Sequence, residues 1–193
     1  MAAAASPINL PNAITVTRIL LAPVLVVVLL NATGGSLLAA AVFAAGALGD
    51  VLDGALARSR GLVTDVGKLL DPLADKLLVG AALVALVLAD RLAVWVPVVI
   101  LTREVLVTGL RTVGARRGQI IDASSLGKSK MTLQMAMVLV LCIVSDPGLL
   151  WVDVLVAATV AATLASGVDV AARFARGPTP REQPGEAAPP GRV

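Results

Sequence analysis

Residues 50–75 read DVLDGALARSRGLVTDVGKLLDPLAD, and four of the acids in this stretch stand where acids are hardest to accommodate. Asp50, Asp53, Asp71 and Asp75 fall at the ends of two apolar segments that face each other across a short polar link. A single ionised Asp near a bilayer centre costs about 2.5–3.5 kcal/mol on insertion scales, so four would cost roughly 10 without partners. At a membrane edge the penalty is smaller, but clustered carboxylates still repel one another unless a cation neutralises them. Asp50 and Asp53 are separated by three residues and Asp71 and Asp75 by four, so on helices each pair shares a face. Two helices each presenting two carboxylates form an oxygen-rich pocket suited to a hard divalent ion such as Mg²⁺, Mn²⁺ or Ca²⁺.

The remaining composition narrows the chemistry. The 193 residues include no His and no Tyr, and the only Cys, Cys142, lies in an apolar run. Ser-His and Cys-His nucleophilic sites, His-ligated zinc and structural disulfides are therefore excluded. Acid–base work falls to Asp, Glu or Lys. Apolar residues make up 58% of the chain and aromatics only 2%, so the hydrophobicity comes from Ala, Val and Leu. That apolar share is well above the soluble norm and predicts one all-α integral membrane domain.

Six apolar spans are expected, over Ala13–Leu30, Ser36–Leu52, Leu69–Ala89, Leu92–Leu110, Met131–Val144 and Leu149–Ala172. A bilayer core of about 30 Å needs about 20 helical residues, so the second and fifth are short on apolar count. Both are expected to continue as helix beyond the apolar core, the second through Asp50 and Asp53 toward Arg58, the fifth from near Lys128. Pro23 and Pro97 are expected inside the first and fourth helices, where neighbouring helices satisfy the freed carbonyls. The N-terminal apolar run has no basic leader and no clean cleavage site, which argues against a signal peptide. Asn31-Ala32-Thr33 matches a glycosylation acceptor but lies too close to the membrane to count.

Charge gives the orientation. The links Asn31–Gly35, Asp90–Arg91 and Ser145–Gly148 hold one basic residue, Arg91. The alternate links hold Arg58, Arg60 and Lys68, then Arg111, Arg116, Arg117, Lys128 and Lys130, and Arg173 and Arg176 follow the last span. The positive-inside bias predicts that both termini and the aspartate segment face the cytoplasm. Residues 1–176 then form the membrane domain, and 177–193, rich in Pro, Gly and charge, a disordered cytoplasmic tail.

Asp50-x-x-Asp53-Gly54-x-x-Ala57-Arg58, eight residues, then Gly67-x-x-x-Asp71-x-x-x-Asp75 resembles the signature of the CDP-alcohol phosphotransferases at every position. The six-span layout agrees with that family's fold, so the resemblance covers nearly the whole chain apart from the tail. It implies displacement of CMP from a CDP-linked alcohol by a second alcohol. It also implies two divalent metal ions, Mg²⁺ or Mn²⁺, on Asp50, Asp53, Asp71 and Asp75, with Asp75 as general base. Asp53, Gly54, Ala57, Arg58 and Gly67 are the implied contacts of the CDP donor.

The residues make physical sense of those roles. Two metals about 3.5–4 Å apart on shared carboxylates neutralise the oxygens that shield a pyrophosphate from attack. Arg58, one turn beyond the first acids, offers a forked guanidinium to a phosphate. Gly54 and Ala57 leave room against the backbone, although small residues also serve close helix packing in membranes. Asp65 either contacts the cytidine or caps a helix beginning near Val66, and capping is favoured because the family pattern requires no acid there. Lys76, next to the base, reads as a charge partner.

Three further stretches bear on the acceptor. They are Asn12-x-x-Thr15-x-x-Arg18, Thr102-Arg103-Glu104-x-x-x-Thr108-Gly109-x-Arg111 and Gly127-Lys128-x-Lys130-x-Thr132-x-Gln134. They resemble the branch of the family whose donor is CDP-diacylglycerol and whose acceptor is sn-glycerol 3-phosphate. A phosphorylated acceptor needs cations, and Arg111, Lys128, Lys130 and Arg103 are the candidates. Glu104 and Arg111, about two turns apart, share a face, so an Arg103–Glu104 pair either orients the pocket or neutralises itself. Arg116 and Arg117 read as ordinary loop charges or contacts to anionic headgroups. The resemblance further implies a homodimer in the bacterial cytoplasmic membrane, in contact with membrane lipid and not with nucleic acid. Siblings that use phosphatidylglycerol or inositol phosphate as acceptor remain open. A divalent-cation transporter fits less well, because the acids gather at one face and Arg58 would repel a passing cation.

Overall fold

The computed structural model describes the backbone of residues 10–60, 65–119 and 125–177, and the side chains of 17–49, 76–119 and 125–177. Six helices account for nearly all of it: α1 (Leu10–Leu30), α2 (Leu37–Arg60), α3 (Asp65–Leu88), α4 (Trp95–Arg116), α5 (Ser125–Ile143) and α6 (Leu150–Ala175). No strand occurs among the described residues.

Each expected span is a helix, and the departures are at the polar ends. α2 continues through Asp50 and Asp53 to Arg60, and α5 opens at Ser125, nearly two turns ahead of its apolar run. α4 starts at Trp95 instead of Leu92 and runs past Leu110 to Arg116. Pro97 therefore falls in its first turn, where the missing N–H had no intrahelical partner anyway. Pro23 is inside α1, as its sequence position suggests.

α1 packs along α3 and α2, α5 along α6 and α2, and α4 along α6. The seam where they meet is built on Phe43, Leu25, Leu29, Leu83, Leu86, Ile100, Met137 and Val138, all fully buried. Ala39, Ala82 and Ala85 are buried among them, and such small residues let helix axes approach. The outward faces are apolar as well, with Val105 72%, Val168 69% and Leu150 79% exposed. A soluble bundle would present polar residues there. α5 and α6 are each long and apolar enough to cross a bilayer.

The two ends of the bundle are closed by the same device. At the end of α3, Asp90 takes a left-handed conformation (φ 55), its N–H reaching Val87 O at 3.0 Å and the Arg91 N–H reaching Leu86 O at 2.8 Å. At the end of α4, Gly118 (φ 74) does the same, with Gly118 N–H on Ala115 O at 3.1 Å and Gln119 N–H on Gly114 O at 2.9 Å. Both are Schellman caps, which satisfy carbonyls that the helix leaves open. In each, the residue after the turn then reaches a neighbouring helix.

Arg91 donates from Nε to Leu141 O at 2.8 Å and from Nη2 to Val144 O, at the C-terminus of α5. Gln119 donates from Nε2 to Arg173 O at 2.9 Å, at the C-terminus of α6. A cation on terminal carbonyls also complements the helix dipole. The Gly35–Ser36 link closes on the same α5 end: Ser36 N–H donates to Cys142 O at 2.6 Å. A Cβ at Gly35 would overlap the Ile143 carbonyl, so only Gly fits there.

Arg91→Ala removes two charge-assisted bonds to backbone carbonyls, each contributing roughly 1.5–3 kcal/mol. The expected result is a fall in melting temperature of several degrees in detergent, followed by circular dichroism. A melting temperature within one degree of the parent would mean that Arg91 does not clamp α5.

Candidate active site

The aspartate segment is carried on two helices that touch. Asp50, Asp53, Gly54, Ala57 and Arg58 belong to α2; Gly67, Asp71 and Asp75 belong to α3, which begins at Asp65. The readings of these side chains as metal ligands, general base and donor contacts lie outside the described residues. So does a test of Asp65 as a cap. The helical backbone does carry both pairs at the offsets that place them on one face of their helices.

Directly beyond Asp75, a cavity of about 370 Å³ opens between α3, α4 and α5. Five cationic side chains line it: Lys76 from α3, Arg103 and Arg111 from α4, and Lys128 and Lys130 from α5. Among the described residues Glu104 is the one carboxylate in its wall, and Gln134 adds an amide. A second cavity on the outer side shares Lys76, Arg103, Glu104 and Arg111, and extends the basic surface to Arg116. Arg103, Arg111, Lys128 and Lys130 are thus brought together, although they come from two helices joined by a loop.

Within the cavity the charges are partly matched. Glu104 Oε1 accepts from Arg103 Nη1 at 2.9 Å and from Lys130 Nζ. Lys130 is 7% exposed, and Glu104 gives it the opposite charge that burial demands. Arg103 also donates from Nη2 to Ser166 Oγ on α6 at 2.8 Å. Lys76 Nζ donates to Thr108 Oγ1 at 2.5 Å, and that hydroxyl donates on to Glu104 O at 2.7 Å. The helix that carries Asp75 is in this way tied to the helix that carries Arg111.

Three buried polar atoms of the cavity lining lack a hydrogen-bond partner: Arg103 Nε, Arg111 Nε and Gln134 Oε1. Buried polar atoms are nearly always satisfied in folded proteins, so unmatched guanidinium N–H groups in a basic cavity mark a place for an anion.

Several contributors were not visible in the sequence. Ser166 is one; Thr108 belongs to a stretch singled out in the sequence, but its contact with Lys76 is visible only in the fold. A weak signal for Ser166 did exist: Thr159, Thr163 and Ser166 recur at offsets of four and three in the apolar middle of α6, and all three are fully buried. Arg117 departs from the generic reading of its loop. Its guanidinium sits over the Phe174 ring, 5.6 Å from the centroid, and pins α6 beside the Gln119 contact.

The family model of the CDP-alcohol phosphatidyltransferases matches residues 8–165. The chain belongs to that family. Among curated relatives, it is 42% identical over 139 residues to the CDP-diacylglycerol–glycerol-3-phosphate 3-phosphatidyltransferase of Bacillus subtilis (strain 168), covering 65% of this chain and 72% of the relative. It is 40% identical over 173 residues to a probable phosphatidylglycerophosphate synthase of Mycobacterium tuberculosis (strain ATCC 25618 / H37Rv), covering 87% and 82%. A Rickettsia felis protein bearing the same name as the Bacillus one is 36% identical over 148 residues, covering 76% and 82%.

Proposed function

We propose that this protein transfers the phosphatidyl group of CDP-diacylglycerol to sn-glycerol 3-phosphate, giving phosphatidylglycerophosphate and CMP. The names of its relatives support both substrates. The observation that carries the acceptor is the basic cavity beside Asp75 with its unmatched Arg111 Nε. Glycerol 3-phosphate is a small dianion with little apolar surface, so its affinity must come from charge-assisted hydrogen bonds. Lys76, Arg111 and Lys128 are the cations of the cavity without a Glu104 ion pair; Lys76 is held by Thr108, and Arg111 and Lys128 take the phosphate. Arg103 and Lys130 complete the pocket with the donors that Glu104 leaves over.

In the reaction, the primary hydroxyl oxygen of the acceptor forms a bond to the lipid-bearing phosphorus. The bond from that phosphorus to the CMP oxygen breaks, and the hydroxyl proton passes to Asp75. Arg58, with Asp53, Gly54, Ala57 and Gly67, holds the departing nucleotide. The hard oxygen donors of Asp50, Asp53, Asp71 and Asp75 suit two divalent ions, Mg²⁺ or Mn²⁺, which when bound supply charge neutralisation at the pyrophosphate. The Lys76–Thr108 contact keeps Asp75 in register with the acceptor cavity.

The same reading places all six helices across the bacterial cytoplasmic membrane, with residues 1–176 as the membrane domain and both termini and the site on the cytoplasmic side. Two features support it. The cations of the α4–α5 ends and of the α6 C-terminus, Arg116, Arg117, Lys128, Lys130, Arg173 and Arg176, lie at the ends of their helices that the positive-inside rule assigns to the cytoplasm. Trp95 and Trp151, 55% and 51% exposed, open α4 and α6 at the other end, where an aromatic belt would lie. The lipid-facing surfaces leave room for a second copy, and we assign a homodimer. Residues 178–193, read as a tail, lie outside the described residues.

The test measures CMP release by purified protein with CDP-diacylglycerol and Mg²⁺, against glycerol 3-phosphate, inositol phosphate and phosphatidylglycerol in turn. Turnover with glycerol 3-phosphate alone is expected. Saturation by phosphatidylglycerol but not by glycerol 3-phosphate would make the protein a sibling enzyme. Arg111→Gln or Lys128→Gln should then raise KM for glycerol 3-phosphate by roughly ten- to a hundredfold, since each charge-assisted bond contributes about 1.5–3 kcal/mol. Donor KM should change little. Arg176→Gln is the control, because Arg176 is exposed and lines none of the three cavities described. An equal effect of Arg176→Gln would point to diffuse surface charge.

A further inference from the structure

Arg103 faces three ways. It lines the acceptor cavity, the outer basic cavity and a third, apolar groove of about 490 Å³ between α4 and α6 on the lipid side. A long flexible cation in that position needs something to hold it, and α6 provides it. Ser166, 0% exposed, accepts from Arg103 Nη2 at 2.8 Å and donates to Thr163 O at 2.9 Å. Its hydroxyl is therefore oriented by its own helix, with the lone pairs left for the guanidinium. The next residue, Gly167, leaves the space that the arginine stem fills. A Cβ there would stand 3.2 Å from Arg103 Cγ and 3.7 Å from Nε, so even Ala would push the stem.

We infer that Ser166 and Gly167 form a positioning notch on α6 that sets acceptor affinity through Arg103 and Glu104, an inference that rests on the acceptor reading above. The physical reason is the sign of Glu104. A carboxylate in the wall of a pocket for a dianion opposes binding unless it stays neutralised. Arg103 does this from one side and Lys130 from the other, on the same oxygen. Arg103 makes two hydrogen bonds of its own here, one to Ser166 and one to Glu104. Without the first, the guanidinium is free to swing toward the lipid-side groove. Glu104 then presents more negative charge to the incoming phosphate. Neither notch residue lines the acceptor cavity or the outer basic cavity, and both act through Arg103, so both are positioning residues.

Ser166→Ala removes the hydroxyl, and Gly167→Ala displaces the stem without removing any polar group. Each is expected to raise KM for glycerol 3-phosphate roughly tenfold, with kcat and KM for CDP-diacylglycerol within about twofold of the parent. Thr163→Val is the control on the same buried stripe, because its hydroxyl bonds only Thr159 O of its own helix. A general weakening of α6 would shift both KM values and act equally through Thr163→Val. That pattern, or unchanged acceptor KM in both notch variants, overturns the inference. Inorganic phosphate serves as a probe that needs no turnover: its stabilisation of the parent against heat should require about tenfold higher concentration in the two notch variants. If the parent releases no CMP with glycerol 3-phosphate but the phosphate shift still separates the variants, the acceptor reading fails and the notch stands. If phosphate stabilises all forms alike, the notch fails.

Discussion

Asp75→Asn is expected to lower kcat by roughly 10²–10⁴, the range that a positioned general base contributes, while CDP-diacylglycerol still binds. Asn has nearly the shape of Asp but cannot take up the proton of the acceptor hydroxyl. Because Asp75 is also read as a metal ligand, donor binding has to be compared at saturating Mg²⁺. Under that condition a ligand defect appears as weaker binding, whereas loss of the base appears in kcat with binding retained. The variant should also lose the dependence of rate on pH that a titrating carboxylate imposes. Turnover within a few-fold of the parent would remove Asp75 as obligatory base and leave it, at most, a ligand.

Asp50→Asn and Asp71→Asn should each abolish measurable turnover, and EDTA should do so reversibly, with activity restored by Mg²⁺ or Mn²⁺. The reason is electrostatic: four carboxylates at close quarters are balanced by about four positive charges, and removing one ligand uncouples the pair. Loss of a repelling carboxylate should at the same time leave the apo protein at least as stable as the parent. A melting temperature held or raised, with no activity, is the expected signature. Full activity in metal-free buffer would end the two-metal reading. So would variants that are inactive only because they no longer fold.

The two sets of expectations differ in how far the chain alone supports them. The helices were legible because lipid-facing burial depends on the composition of about twenty consecutive residues, which hydropathy along the chain records. Helix type and order therefore agree for all six elements. The expected span begins at Leu92, three residues ahead of α4, because apolar character continues through a turn that the backbone makes. The extension of α4 to Arg116 is not legible from hydropathy, because polar residues on a helix look like loop. The aspartate offsets were legible for a similar reason: three and four residues on one helix are a local property. They identify the family from residues 50–75 without any knowledge of what packs where.

The basic cavity between α3, α4 and α5 was legible only as an inventory. The sequence offers Arg103, Arg111, Lys128 and Lys130 as candidates and favours Arg111 and Lys128 among them, but it says nothing of their partners. Packing supplies the partners: Glu104 engages Arg103 and Lys130, while Arg103 Nε and Arg111 Nε are buried without a hydrogen bond. The roles of Arg91, Gln119, Arg117 and Ser166 depend in the same way on helices that meet across about fifty or more residues of chain. No periodicity in a single segment encodes such a meeting. Helix propensity and hydropathy sum over neighbours in the chain, whereas which donor reaches which carbonyl depends on the distance between helix axes. That distance is set by small residues such as Ala39, Ala82 and Ala85 and by the Gly167 contact where helices meet, and it exists only once the bundle has formed.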